Sequence, residues 1–68
     1  NMPLEEIVEW EAIIKLRPDD KECLFKLGKL YFLQGMNGKG LRVYEELRAS
    51  NYKKAEELIK YYGSWNLS

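Results

Sequence analysis

The chain has no histidine and a single cysteine, Cys23. One thiol cannot close an internal disulfide, and without histidine there is no Cys/His set to hold zinc. The same absences leave any candidate nucleophile without a partner base. Net charge is missing too. The 11 basic residues balance 11 acidic ones, whereas a dedicated nucleic-acid binder carries a basic excess. There is no run of about 18 apolar residues, so no membrane span is expected. The start shows no apolar segment with positive flanks of the signal-peptide kind. The cysteine usage is compatible with a reducing, cytoplasmic setting but assigns no compartment. Proline is scarce: Pro3 and Pro18 only, and both fall where helices begin or end. No segment alternates with period two for long enough to argue a strand.

What remains is an apolar fraction of 46% in 68 residues, enough for one small domain. A core of that size usually supplies roughly 3–5 kcal/mol. Its apolar residues recur at three and four positions, which predicts an all-α chain of about four helices. The first runs from Pro3 to Leu16, with Leu4, Ile7, Trp10, Ile13 and Ile14 on one face. Pro3 suits a first helical turn, Glu5 and Glu6 favour the helix dipole there, and Pro18 ends the segment. The second runs from Asp20 to Gln34, capped by Asp19 or Asp20, with Leu24, Leu27, Leu30 and Tyr31 inward. Gly35 is placed to end it in the left-handed region. Gly35-Met36-Asn37-Gly38 reads as a tight turn. The third helix runs from Lys39 to Ala49, with Leu41, Tyr44 and Leu47 inward and Val43 partly so. Ser50 and Asn51 offer caps. The fourth runs from Tyr52 to Tyr62, with Ala55, Leu58, Ile59 and Tyr62 on a face, and Gly63 stops it. Trp65 and Leu67 are expected to fold back on the core. Helices joined by turns this short pack antiparallel to their neighbours.

Candidates for chemistry reduce to ordinary structure. Gly35–Gly40 superficially resembles a phosphate loop but lacks the preceding strand, the glycine spacing and the closing Lys-Ser/Thr. Glu5, Glu6, Glu9 and Glu11 lie on or beside the solvated side of a helix, where water screens carboxylates, rather than in a burial that separates their pKa values. Cys23 sits in a first helical turn, a location that can lower a thiol pKa, but a partly buried, inert thiol is the better reading. No metal, cofactor or catalytic residue is expected.

One string carries more. Leu24-Phe25-Lys26-Leu27-Gly28-Lys29-Leu30-Tyr31 reads apolar, two free, Leu-Gly, two free, Tyr. Twelve residues after Gly28 comes Gly40, with Tyr44 four later, and Pro18 stands eight after Trp10. Shifted by 34 positions the chain resembles itself: Ile7 falls on Leu41, Trp10 on Tyr44, Ile13 on Leu47, Leu24 on Leu58 and Phe25 on Ile59. This pattern resembles the tetratricopeptide repeat, with Leu24 where the family most often has Trp. The resemblance covers nearly the whole chain, specifically in the middle and loosely at both ends. Tyr61 and Tyr62 replace the Leu-Gly pair, Tyr52 replaces proline, and Glu6 occupies a small-residue site.

The resemblance implies an antiparallel helix-turn-helix array, a fragment of a right-handed superhelix. Residues 1–20 would be the second helix of a preceding repeat, 21–54 a complete repeat, and 55–68 a terminal or capping helix. Gly28 and Gly40 would be close-approach positions where another backbone passes. About three repeats are usually needed for a stable array, so a fragment of a longer protein or a self-associating chain is implied. The family holds other proteins rather than making or breaking bonds. The implied function is protein–protein interaction, with a structural oligomerisation or capping module, or an enzyme's regulatory appendage, as alternatives. Carried over by position, the peptide-facing residues would be Phe25, Lys29 and Phe32, with Leu33 beside them, Lys26 at the edge, and Ile59 and Lys60 following from the last helix. Some members clamp a C-terminal carboxylate. Phe25 and Lys29 stand where that clamp would have Lys and Asn, so the full clamp is not expected. The implied partner is a peptide with an apolar anchor and carboxylates, or a second copy of the chain, with no nucleic acid and no membrane.

Overall fold

The computed structural model of the chain describes residues 2–63. They form four α-helices, α1 (Pro3–Leu16), α2 (Lys21–Leu33), α3 (Asn37–Ser50) and α4 (Tyr52–Ile59), and no strand is present among them. Expectations for Trp65 and Leu67 lie outside the described residues.

The helix ends follow local chemistry. Asp20 is the cap of α2: its carboxylate accepts the Cys23 N–H at 3.1 Å, one of the donors a helix start leaves free. Asn51 does the same for α4, accepting the Lys54 N–H at 3.1 Å. Gly35, at φ 76°, ends α2 in the left-handed region; Gly35 and Met36 donate back to Phe32 and Tyr31 carbonyls at 3.1 and 2.8 Å. This compact reversal shortens the expected Gly35–Gly38 turn. The Gly40 N–H already bonds the Met36 carbonyl at 3.0 Å, so α3 starts at Asn37 rather than Lys39. At the other end α4 stops at Ile59, three residues before the expected Tyr62. Tyr61 and Tyr62 instead donate to Leu58 and Ile59 carbonyls at 3.0 Å, the tighter three-residue spacing.

The contacts give direction. Gly28 of α2 meets Val43 of α3, and Gly40 of α3 meets Phe32 of α2. Positions rising on one helix therefore fall on the other, so α2 and α3 are antiparallel. Lys54 pairs with Glu22, Leu58 meets Gly28, and Tyr62 packs edge-on against Phe32. Those positions rise together, so α4 runs parallel to α2. The helix α2 packs on all three others and α3 packs on α4, whereas α1 packs on α2 and reaches α3 through the Glu11 and Lys39 side chains.

The core collects Ile7, Leu24, Leu27, Tyr31, Phe32, Val43, Leu47, Ala55 and Leu58, with Trp10, Ile14, Phe25, Leu30, Met36, Tyr44, Ile59 and Tyr61 packed against it. Three expectations shift here. Leu41 lies 37% exposed while Val43 is buried, because Gly40 and Val43 are the positions that α3 turns toward α2. Leu4 is 63% exposed, at the open start of α1. The close approaches at glycine are to side chains, not to another backbone. A Cβ at Gly28 would come within 2.7 Å of Leu58 and 2.9 Å of Val43, and one at Gly40 would run into the Phe32 ring. Gly28 and Gly40 therefore do not face each other.

The 34-residue shift maps α1 onto α3 at both ends, since each has 14 residues. It would place α4's start at 55, yet α4 begins at Tyr52. Four residues join α1 to α2, whereas Asn51 alone joins α3 to α4. The 21–54 span thus takes in the first turn of α4.

Candidate functional site

Two surfaces flank α2. The first lies where α4 and the turn after it meet α2. Phe25 and Tyr61 pack edge to face, with ring centroids 6.4 Å apart and planes at 79°. The Lys29 ammonium stands 5.0 Å from the Tyr61 ring centroid, and that of Lys54 stands 5.2 Å from the Phe25 centroid. These are cation–π distances. Lys54 also pairs with Glu22 at 2.8 Å. Between the rings is a small cleft of about 250 Å³ lined by Phe25, Glu57, Lys60 and Tyr61.

This arrangement brings some of the sequence-expected peptide residues together and removes one. Phe25 and Lys29 are half-buried, Lys26 and Lys60 are exposed, and Ile59 packs partly against the core. Phe32 does not belong to the surface at all. It is entirely buried, with Gly40 above one part of its ring and Tyr62 edge-on at 5.8 Å. The spacing Phe25–Lys29–Phe32 does define one helix flank, but α3 and the turn after α4 cover its far end. Leu33, the next residue, is 40% exposed.

The second surface was not visible in the sequence. On the opposite side of α2, α1 and α3 stand apart. The space between them is a groove of about 360 Å³ floored by Leu24, Leu27 and Tyr31. Glu11, Ile14 and Lys15 form one wall; Lys39, Arg42, Val43 and Glu46 form the other. At one end the Tyr31 hydroxyl donates to the Glu11 carboxylate. Lys39 sits 4.0 Å from the same carboxylate and 5.7 Å from the Tyr31 ring centroid. Burial, then the hydrogen bond to Glu11, hold the Tyr31 hydroxyl far above its ordinary pKa, so it remains a neutral donor. Helix spacing is the only signal that could have found this trio. Its members sit on three different helices, and no local motif joins them.

Cys23 is buried at the start of α2. Desolvation, then the neighbouring Asp20 carboxylate, push its thiol up rather than down. That direction is opposite to the one a reactive thiolate needs. The Cys23 N–H bond in turn holds the Asp20 carboxyl below its usual value. Among the described residues no group of Asp, Glu and Cys is placed to hold a metal ion. No helix among them is long and apolar enough to cross a membrane.

Comparison with known proteins finds no family model that matches the chain, and no curated protein or solved structure that matches it.

Proposed function

We propose that the chain is a protein–protein interaction module with no catalysis of its own, a piece of tetratricopeptide-type helical array that holds a segment of another protein. The motif Leu24–Tyr31 and the 34-residue self-similarity support the family reading. The observation that carries the function is the aromatic ledge of Phe25 and Tyr61, set among Lys26, Lys29, Lys54 and Lys60. An aromatic surface beside cations suits a segment with an apolar anchor and flanking carboxylates. The anchor gains by burial, and the charges set specificity and approach rate. Fluorescence anisotropy with a labelled peptide, one Leu among Asp and Glu residues, tests it. Phe25→Ala and Lys60→Glu should each weaken binding, and added salt should weaken it further. Affinity equal to the parent's in both variants would remove the ledge.

A second reading, self-association, is favoured by a different feature. Leu4, Val8 and Leu16 recur along one side of α1 and are 63%, 64% and 84% exposed. Apolar residues in such a row are a packing ridge in search of a partner. Sedimentation velocity over a wide concentration range decides it. Dimerisation lost on Val8→Glu supports this reading, and a monomer at every concentration ends it.

A further inference from the structure

The groove between α1 and α3 is independent of the ledge and has its own chemistry. Its floor is apolar, Leu24 and Leu27, with Ile14 and Val43 rising at the sides. Its polar rim is unequal. Glu11 is already occupied by Tyr31 and Lys39. Lys15 and Arg42, on opposite walls, make no ion pair among the described residues. Glu46 is the one acid left to offset them. The groove therefore presents a shallow apolar floor, where Leu24 and Leu27 are 5% and 4% exposed and Ile14 is half-buried, beneath a net positive rim.

The walls decide the form of an occupant. Both are helices whose backbone groups are paired internally, so the groove offers side-chain contacts and no backbone partners. An extended strand laid there would leave its own N–H and C=O groups to water or unpaired, whereas a helix satisfies them itself. The helices α1 and α3 each pack on α2 and meet each other through the Glu11–Lys39 pair at one end of the groove. A further helix lying between them would touch both, meeting Ile14 and the narrow exposed edges of Leu24 and Leu27. We propose that this groove docks an acidic amphipathic helix of a partner protein. Aliphatic residues at three- and four-residue spacing lie on the floor, and carboxylates reach Lys15 and Arg42.

The test uses the chain itself and a synthetic probe: a fluorescein-labelled helical peptide of Ala and Glu carrying Leu on one face, with a matched peptide in which Lys replaces Glu. The Glu peptide should bind and the Lys peptide should not. Amide shifts should cluster at Ile14, Leu24, Leu27 and Arg42. The double variant Lys15→Glu/Arg42→Glu, at exposed positions, should lose about tenfold or more in affinity, with an unchanged circular-dichroism spectrum. Lys60→Glu, on the other side of α2, should bind as the parent does. That control separates the two surfaces, so failure of the ledge leaves the groove standing and the reverse. No binding, shifts centred on Phe25 and Tyr61, indifference to the double variant, or a dimer of the chain filling the groove would each overturn the proposal.

Discussion

The two sides of α2 start from similar materials and end differently. Both combine apolar residues with lysines. On the α4 side the chain closes over itself: Lys29 lies against Tyr61, Lys54 against Phe25, and Phe32 disappears beneath Gly40 and Tyr62. On the other side α1 and α3 keep their distance, and Leu24, Leu27 and Tyr31 floor an open groove. The difference is one of coverage. A helix running parallel to α2 and set close to it where Leu58 meets Gly28 brings its side chains near enough to cap one flank. Two helices bridged at one end by Glu11 and Lys39 leave a narrow opening over the opposite flank, whose side chains are themselves nearly covered. A lysine over a ring contributes packing as well as charge, whereas Lys15 and Arg42 at the groove rim have no such engagement.

Substitutions can break or sharpen this contrast. The largest effect is expected at Phe32→Ala, in the closed side. Removing a fully buried ring costs about 3–5 kcal/mol, comparable with the roughly 3–5 kcal/mol a core this small supplies. The cooperative thermal transition should be lost, and a variant that still melts sharply would show that α4 does not depend on this ring. Gly40→Ala comes next. The new methyl meets the same ring, and crowding of about 1–3 kcal/mol should outweigh the gain of about 1 kcal/mol in helix propensity. Urea midpoints would read the net loss.

On the open side Tyr31→Phe removes one half-buried hydrogen bond, a loss of about 0.5–1.5 kcal/mol. It also changes the response to alkali. Because folding raises the Tyr31 pKa, its contribution is complete below the ordinary value of 10.0 and fades as pH climbs through the higher folded value. The parent should therefore lose more stability than Tyr31→Phe as pH rises past that ordinary value, and parallel curves would dismiss the coupling. A smaller contrast comes from single lysine and arginine truncations. Lys54→Ala, losing a partly buried ion pair and ring contact, should cost up to about 1 kcal/mol. Arg42→Ala at the groove rim should stay within about 0.5 kcal/mol. If the two cost the same, the closed side is no better engaged than the open one. Smallest of all is the Asp20 cap. Folding lowers its pKa, so its contribution is present above 3.8 and fades as pH falls through the lower folded value. Asp20→Asn can cap without titrating, so its stability should fall less steeply in acid than the parent's.

Much of the fold was legible because its signals are local. Apolar spacing marked the helices, and Pro18, Asp20 and Gly35 marked ends that the structure keeps. The errors are of another kind. Phe32 shares a flank with Phe25 and Lys29, and nothing nearby in sequence says that α3 and the chain after α4 will cover one end of that flank. Leu41 and Val43 sit two positions apart, and which of them faces inward depends on the direction from which α2 approaches. The α1/α3 groove was wholly illegible, since Lys15, Tyr31 and Arg42 become neighbours only when three helices are assembled. Apolar spacing and Asn51 put the start of α4 at Tyr52, where it lies, while the 34-residue shift points to 55: the self-similarity registers side chains and is blind to the length of a joint.

That joint is one residue long. The Asn51 N–H donates to the Leu47 carbonyl at 2.6 Å, its side chain accepts from Lys54, and its own carbonyl accepts the Ala55 N–H at 3.0 Å. A single residue thus closes one helix and opens the next, with no slack between them. An eight-residue helix is too short to persist alone in water. Whatever order α4 has is lent to it through this residue and its seat on α2. The two halves of the α3–α4 pair are mechanically one part, and they should open to solvent together rather than in turn.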